Sequence, residues 1–502
     1  MTKGVQKKVY LSIIIVVLAV GLYFNIHNVK DDYQLRDSDE AAWIFNSKFL
    51  DLYMDGDWKN PAWNEFDKYA QHPPVGKYLF GVLMKSIDKP VKDMEGRRFW
   101  FENDMSTVLN SKAFSAELIK RLDYKQVLAG RYMSAIFGFL TAACLMYLGI
   151  RLFSYAGGIA SFILLLLHPV FRYAQSLCSG DTFIMFISFL AIIFSYEMCV
   201  KKRKIGRELL FVLALGIMLG LAFGSKISSY ALILPVLIIP IIYSSDRKHL
   251  SLLLKMSLLS IIIGFLVVYL LDPGLHESPV FTLVQRILAR VERVQIQKYV
   301  FIDHSFKSFT ERLSFGVYSI YFSSSIPLIA FILTKVGFLF LLFSIFPFNK
   351  RNVAFCVLIF LFGVIFTVYF LQMAWPRYAA MNLPFMMLAT ASGTATLKNY
   401  FSSLRTSDKR KRLTGFVCII VVMLYAWSSY LYFKPNERHL PTLATKDERI
   451  MAKMFAFSLA RPGVDRRIHE ILYNYFNGLG DKTWVKYEKL VLDTISQKDL
   501  KK

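Results

Sequence analysis

The sequence predicts an all-α protein that crosses a membrane many times. Hydrophobic residues fill 55% of its 502 positions, phenylalanine alone occurs 44 times, and the mean hydropathy is +0.42. These values exceed what a soluble domain carries. The apolar residues are also gathered into runs of roughly 17 to 25 residues, the length that a helix needs to cross a bilayer. We therefore expect a polytopic helical membrane protein.

Eleven such runs are predicted to be transmembrane helices. The first follows Lys7 and Lys8, and because no small-residue cleavage site comes after it, it is interpreted as an uncleaved helix with a cytoplasmic N-terminus. The runs lie near residues 9–24, 127–149, 155–170, 182–200, 207–223, 227–243, 250–271, 324–346, 352–372, 378–396 and 413–433. An odd number of spans places the two chain ends on opposite sides of the membrane.

The distribution of charge supports this orientation independently. Short cytoplasmic loops are rich in Lys and Arg, and the predicted inner loops contain the basic runs 201–204 and 409–412. The first predicted outer loop, residues 28–126, instead holds 17 of the chain's 36 acidic residues, against 15 basic ones. Topology and lipid headgroups thus explain the formal charge of +24, and we expect no nucleic-acid partner.

The predicted organisation has two parts. Residues 1–433 form the transmembrane module, and its two long extracytoplasmic loops are 28–126, with interfacial helices, and 272–320. Residues 434–502 form a small helical extracytoplasmic tail. In the second loop, apolar residues recur at helical spacing opposite three arginines, which predicts a helix in the outer headgroup region. The apolar positions are Val284, Ile287, Leu288, Val291 and Val294, and the arginines are Arg286, Arg290 and Arg293.

Ionisable residues gather at the predicted outer face. The first outer loop carries Asp39 and Glu40, and later His72 and Lys77 in the sequence His-Pro-Pro-Val-Gly-Lys. The outer ends of four predicted spans carry Arg131, Asp181, Lys226 and Arg377. Charge close to the bilayer is costly, so four such groups at one level predict a shared polar cavity. Cations and acids together suit a phosphate to be held and a hydroxyl to be activated.

These motifs resemble those of the protein O-mannosyltransferases, members of the GT-C glycosyltransferases that use a polyprenyl-phosphate sugar donor. The resemblance rests on Asp39-Glu40 and His72 to Lys77, and on four later segments, and it spans about residues 10–396 in order. The later segments are 130–135, 179–182, 224–226 with Leu234-Pro235, and Arg377-Tyr378 with Leu383-Pro384. The bacterial lipid A aminoarabinose transferases are more distant relatives.

The resemblance implies an inverting sugar transfer at the extracytoplasmic face, with mannose as the default sugar. A polyprenyl phosphate leaves readily, so the reaction needs cations to hold its charge and a carboxylate to take the acceptor proton. Asp39 is the expected base, and Glu40 and Asp181 are further candidate catalytic residues. Arg131, Lys226, Arg377 and Tyr378 are the candidates for binding the donor phosphate and lipid.

Each assignment has a structural alternative. Lys226 and Arg377 can anchor helix ends at lipid headgroups, Asp181 can cap its helix, and Tyr378 can belong to an aromatic belt. His72 can simply precede a rigid Pro-Pro entry to a helix. Three roles are open to Glu40: to orient Asp39, to bind a divalent cation, or to contact the acceptor.

The sequence also departs from the eukaryotic members of this family. Their large folded module in a later lumenal loop does not fit into residues 272–320, so the acceptor hydroxyl is left open among protein, glycan and lipid. The chain contains no Asn-x-Ser/Thr sequon, which favours a bacterial or archaeal plasma membrane. The five cysteines are scattered singly, so neither a disulfide nor a thiolate metal site is expected.

Two other classes of function compete with an enzyme. A transporter or flippase of lipid-linked sugars would explain the helices and basic loops, but transporters place binding groups on interrupted helices near the midplane, often within internal repeats. Neither feature is found in the sequence. A non-catalytic scaffold would have little use for charges that converge at one depth.

Overall fold

The protein is helical throughout the part of the chain that the structure describes, which confirms the predicted class. The computed structural model describes residues 3–29, 38–64, 72–91, 122–200, 205–300, 305–306, 308–312, 350–370, 380–381, 383–403 and 466–499. Among these residues, four helices are both long enough and apolar enough to span a membrane. They are Val9–His27, Tyr124–Leu152, Asp181–Val200 and Arg247–Leu271.

The described α-helices are numbered here in chain order. Helix α1 and the first-loop helices α2, α3 and α4 are Lys3–His27, Ser38–Phe45, Phe49–Met54 and Val75–Ser86. The next group, α5 to α11, is Tyr124–Leu152, Tyr155–Leu167, Pro169–Gln175, Asp181–Val200, Ile205–Phe223, Ile233–Tyr243 and Arg247–Leu271. The last group, α12 to α16, is Pro279–Val300, Lys350–Phe370, Leu383–Ser403, Arg466–Gly478 and Lys482–Asp499.

Side-chain caps set the beginnings of three membrane helices. Asp123 and Gln126 form a capping box at the start of α5, Ser154 accepts a hydrogen bond from the Gly157 N–H at α6, and Asp246 accepts one from His249 at α11. Each cap satisfies backbone N–H groups that have no partner inside the helix. The predicted span 155–170 is shorter than expected, because Pro169 ends α6 at Leu167 and begins α7.

Small residues let the core helices approach closely. A Cβ atom on Gly149 of α5 would lie 2.8 Å from the Cα atom of Gly158 in α6. A Cβ atom on Gly220 of α9 would lie 2.9 Å from the Gly264 carbonyl oxygen of α11. Close backbone packing of this kind is typical of helices in lipid, where small residues form the contacts. It joins α5, α6, α8, α9, α11 and α14 into one bundle.

Helix α12 is attached to the end of α11 by a buried ion pair. The Arg286 guanidinium donates from Nη2 to Asp272 Oδ1 at 2.9 Å and from Nη1 to Asp272 Oδ2, and both residues are buried. The sequence predicted Arg286 on the polar face opposite the apolar stripe, and the structure turns that face toward the protein. The opposite face of α12, the apolar stripe that includes Val284, Leu288 and Val291, is exposed.

The C-terminal helices α15 and α16 pack on each other and on the far end of α12. Phe476 and Trp484 share a cluster with Tyr299 of α12, and the Tyr299 hydroxyl donates to Asp481 at 2.5 Å. Gly480 makes the turn between the two helices with a φ of +69°, a conformation that glycine adopts readily. The predicted spans 324–346 and 413–433 lie outside the described residues.

The first prediction tests the Arg286–Asp272 pair. Replacing Arg286 with Ala leaves a buried carboxylate without its partner, which typically costs roughly 3–5 kcal/mol. We expect a clear fall in the melting temperature of the protein purified in detergent. Arg290→Ala, one turn later on the same helix, is the matched control and should melt close to wild type.

Replacing both partners with apolar residues, as in Asp272→Ala with Arg286→Met, should recover part of the lost stability, because no uncompensated charge then remains buried. Equal melting temperatures for Arg286→Ala and Arg290→Ala would show that the pair does not hold α12 in place.

Candidate functional site

The first turn of α2 carries the two adjacent carboxylates Asp39 and Glu40. Acidic groups are favoured there, because the free N–H groups and the helix dipole leave partial positive charge at an N-terminus. The two side chains differ in environment: Glu40 is completely buried, whereas Asp39 is partly exposed. One of the pair therefore faces the protein, and the other remains accessible to a substrate.

Glu40 forms a buried ion pair with Arg131 of α5. Arg131 Nε donates to Glu40 Oε1 at 2.8 Å, Arg131 Nη2 donates to Glu40 Oε2 at 3.0 Å, and neither side chain is exposed. The Cys178 backbone N–H donates to Glu40 Oε1 at 2.9 Å. The fork geometry and the extra donor satisfy the carboxylate, as a buried charge requires.

The segment before α8 is fixed against α5 at the same level. The Ser134 hydroxyl donates to the Ser179 carbonyl at 2.9 Å, and the Ser179 N–H donates back to that hydroxyl at 3.2 Å. A Cβ on Gly130 would lie 2.2 Å from Cys178 Sγ, so only glycine fits there. Burial raises the pKa of the Cys178 thiol well above its usual value, which leaves it a neutral packing group.

A second ion pair joins the start of α8 to the end of α9. Lys226 Nζ lies 2.9 Å from Asp181 Oδ1 and 3.4 Å from Met381 Sδ. Lys226 follows α9 in an extended conformation, which directs its side chain back toward Asp181. Both side chains keep a small exposed fraction, 13% for Lys226 and 7% for Asp181, so this pair is less enclosed than Glu40–Arg131.

The His-Pro-Pro-Val-Gly-Lys segment lies beside this second pair. The Val75 N–H donates to the Gly224 carbonyl at 2.8 Å, which ties the start of α4 to the residues just before Lys226. Lys77 is buried, with Nζ 4.0 Å from the centre of the Phe49 ring, a cation–π contact. His72 is partly buried at the entry to α4. Arg377 and Tyr378 lie outside the described residues.

Tyr78 of α4 connects the first predicted outer loop to the second. Its hydroxyl donates to the Leu271 carbonyl at 2.8 Å, at the end of α11 and beside Asp272. Burial, and the nearby Asp272 carboxylate after it, raise the pKa of Tyr78, which keeps the hydroxyl protonated as a donor. The elements that carry the candidate residues are thus joined to one another by hydrogen bonds.

A largely apolar cavity adjoins the Asp181–Lys226 pair. Its walls come from α8, from the turn after Lys226, and from the residues around Met381. The lining residues are Ile184, Met185, Ser188, Ser228, Ser229, Leu232, Phe362, Met381 and Phe385. A polar pair beside an apolar cavity suits a ligand that has a charged end and a hydrocarbon chain.

The described residues contain no group of three or more His, Cys, Asp or Glu side chains that could hold a metal ion. Two carboxylates of the site, Glu40 and Asp181, are instead met by protein cations. What the sequence did not predict is this pairing, because Glu40 and Arg131 are 91 residues apart and Asp181 and Lys226 are 45 apart. The signal for it was that acids and bases were predicted to lie together at the outer face.

Residues 112–271 match the family described as dolichyl-phosphate-mannose-protein mannosyltransferase, a segment that includes Arg131, Asp181 and Lys226. No curated protein matches the sequence.

Two solved structures are similar over most of the chain. ArnT from Cupriavidus metallidurans, bound to undecaprenyl phosphate, is 15% identical, with 92% of this chain and 80% of ArnT covered and a TM-score of 0.45. The archaeal oligosaccharyltransferase AglB from Archaeoglobus fulgidus, in complex with an inhibitory peptide and a dolichol-phosphate, is 12% identical, with a TM-score of 0.48. That likeness covers 97% of this chain but only 60% of AglB.

The family match begins in the first predicted outer loop and ends with α11, so it contains Asp181, Lys226 and Arg131, whereas Glu40 on α2 precedes it. The resemblance predicted from the motifs is confirmed over this segment, and the match indicates a glycosyltransferase.

Proposed function

We propose that the protein transfers a sugar, mannose by default, from a polyprenyl or dolichyl phosphate to an acceptor hydroxyl on the extracytoplasmic face of the plasma membrane. The observation that carries the proposal is that a partly exposed carboxylate, Asp39, lies beside a fully neutralised pair, Glu40–Arg131. The Cys178 N–H that Glu40 binds stands only three residues before Asp181, the partner of Lys226. A base and a phosphate-binding cation are both needed for this transfer.

In the proposed reaction, the acceptor oxygen attacks the anomeric carbon on the side opposite the phosphate. A new C–O bond forms as the bond to the phosphate oxygen breaks, and that oxygen keeps the electron pair. The acceptor proton passes to the Asp39 carboxylate, and Lys226 holds the charge of the released polyprenyl phosphate. Attack from the opposite side inverts the anomeric centre in one step.

The remaining residues receive supporting roles. Arg131 is buried and bound to Glu40, so we assign it to positioning Glu40 and the first turn of α2. Asp181 holds Lys226 until the phosphate arrives. Arg377 and Tyr378 remain proposed contacts of the donor phosphate and lipid. His72 and Lys77 are assigned to the loop that borders the substrate, with Lys77 holding it through Phe49.

The proposed donor and acceptor follow from the chemistry of the site and from what the similar proteins bind. ArnT is described with undecaprenyl phosphate, and AglB with a dolichol-phosphate and a peptide. The apolar residues that line the cavity next to Lys226 suit contact with a hydrocarbon chain whose phosphate meets the ammonium group. The acceptor is a hydroxyl on a protein, a glycan or a lipid of the cell envelope.

The second prediction concerns the side of the membrane. Lys59 and Lys248 are both exposed, but Lys59 lies in the first outer loop and Lys248 in a proposed inner loop. In intact cells, Lys59→Cys should react with an impermeant thiol reagent and Lys248→Cys should not. The four described native cysteines are buried, and the unsubstituted protein measures the background. The opposite reactivity would reverse the orientation and place Asp39 in the cytoplasm.

The third prediction concerns Asp39 as the base. Asp39→Asn keeps the size and polarity of the side chain but cannot accept the proton, so turnover should fall by roughly 10² to 10⁴. Donor affinity should change little, because Lys226 is untouched. Asp57→Asn, an exposed carboxylate in the same loop, is the control.

Glu40→Gln should have a different effect, because it breaks the buried pair with Arg131. We expect a lower melting temperature together with lower turnover, whereas Asp39→Asn should melt like wild type. Near-normal transfer by a folded Asp39→Asn protein would refute Asp39 as the base and direct attention to Asp181.

The fourth prediction concerns Lys226 as the phosphate contact. Lys226→Met keeps the length of the side chain without its charge, and loss of a partly desolvated phosphate contact should weaken binding of undecaprenyl phosphate by roughly 30-fold or more. Lys125→Met, an exposed lysine at the start of α5, is the control. Unchanged affinity in the Lys226 variant would make Lys226 a structural partner of Asp181 alone.

A further inference from the structure

Trp43 lies on the same face of α2 as the two carboxylates. It follows Glu40 by three residues and Asp39 by four, and residues at these spacings are neighbours on a helix surface. Neither the ion pairs nor the proposed proton transfer involve it. Its contacts nevertheless place it among the segments that carry the candidate residues.

The six-membered ring of Trp43 fills the space that two glycines leave. A Cβ atom on Gly180 would lie 2.5 Å from Trp43 Cη2, and a Cβ atom on Gly76 would lie 3.2 Å from Trp43 Cζ3. Gly180 directly precedes Asp181, and Gly76 belongs to the His-Pro-Pro segment. A Cβ on Gly76 would also lie 3.6 Å from the Cβ of Ser225, the residue before Lys226. The ring edge therefore contacts Gly180, the residue before Asp181, and Gly76, which itself lies close to Ser225.

One face of the indole is also covered. Trp43 stacks on Phe80 of α4, with ring centroids 5.3 Å apart and 29° between the planes, and Phe80 is fully buried. The contacts at the ring edge and at this face hold the indole in one orientation. A side chain held in this way can present its remaining surface to a ligand without a further loss of conformational freedom.

The indole N–H of Trp43 has no hydrogen-bond acceptor among the described residues. The side chain is partly exposed, and its N–H donates no hydrogen bond within the described part of the chain. Trp63 in the same loop differs, because it is fully buried and its N–H donates to the Asp57 carbonyl at 2.9 Å. Trp43 thus offers a fixed apolar surface with an available donor, a combination that suits a ligand with both apolar and polar groups.

We propose that Trp43 forms a wall of the sugar-binding pocket and that its N–H donates to a hydroxyl of the transferred sugar. A pyranose has apolar C–H faces and a rim of hydroxyl acceptors, which matches an indole held in this way. The proposal rests on the proposed function, in which Lys226 takes the phosphate and Asp39 takes the acceptor proton. The sugar must then lie between these two groups, and Trp43 contacts the segments around both.

The test compares two lipids that differ only in the sugar. Purified protein in lipid nanodiscs is titrated with polyprenyl-phosphate mannose and, separately, with polyprenyl phosphate. Trp43→Phe keeps an aromatic ring but removes the donor, so affinity for the mannose-bearing lipid should fall about tenfold, the effect of one lost hydrogen bond. Affinity for the sugar-free lipid should not change. Trp58→Phe, an exposed tryptophan that packs on His276, should bind both lipids as wild type does.

A second variant removes only the N–H. Benzothienylalanine at position 43 has the shape of tryptophan with sulfur in place of the N–H, so it keeps the contacts with Gly76, Gly180 and Phe80. It should show the same selective loss for the mannose-bearing lipid while keeping the wild-type melting temperature. If Trp43→Phe does not fold, the benzothienylalanine variant still tests whether the N–H contacts the sugar.

The outcomes separate this proposal from the proposed function. If the position-43 variants bind both lipids equally weakly, or bind both as tightly as wild type does, Trp43 is not a sugar contact. The proposed function would still stand. Failure of the wild-type protein to bind either lipid would overturn both. A loss confined to the mannose-bearing lipid, seen in both position-43 variants, would support the sugar contact.

Discussion

The buried pair between Glu40 and Arg131 is the constraint on which the candidate site depends. Two charges removed from water stay stable only if nearly all their hydrogen-bonding capacity is met, and here the guanidinium fork and the Cys178 N–H meet it. Three separate elements must hold their positions for this to happen: the first turn of α2, the N-terminal part of α5, and the segment before α8. Because Asp39 directly precedes Glu40 in α2, the same constraint sets where its carboxylate lies.

The second pair has a different character, and the difference suits a different task. Lys226 meets Asp181 through one contact at 2.9 Å, and both side chains retain some exposure, whereas Arg131 and Glu40 share two bonds and have none. A lysine is also a point charge on a flexible stem, so it exchanges one anion for another more easily than a bidentate arginine does. The Glu40–Arg131 pair is therefore suited to fixing the position of the proposed base, Asp39. The Asp181–Lys226 pair, beside an apolar cavity, is suited to releasing Lys226 to an incoming anion.

Among the residues that the structure describes, the sequence predicted several long helices closely, because the bilayer sets their lengths. The predicted spans 127–149 and 182–200 agree closely with Tyr124–Leu152 and Asp181–Val200. It also placed Arg131, Asp181 and Lys226 at one level, and the structure connects all three to the same set of segments. It did not predict which charge meets which, because pairing across 45 or 91 residues depends on how helices rotate against each other. The sequence did not predict a role for Trp43 for a related reason. Its ring is positioned by contact with Gly76 and Gly180, which are distant in the chain and follow no recognisable spacing.

Arg286 illustrates the limit of helical periodicity most clearly. The spacing correctly separates an apolar stripe from an arginine face on α12, but it does not say which face meets the protein. Asp272, buried at the end of α11, decides the matter, because its charge requires a cation and Arg286 is within reach. The position of Asp272 also matters for the candidate site, because the Tyr78 hydroxyl of α4 donates to the Leu271 carbonyl beside Asp272. This hydrogen bond attaches the second predicted outer loop to α4, the helix that follows the His-Pro-Pro segment. The two loops that border the proposed substrate therefore hold each other in place through one buried charge and its neighbours.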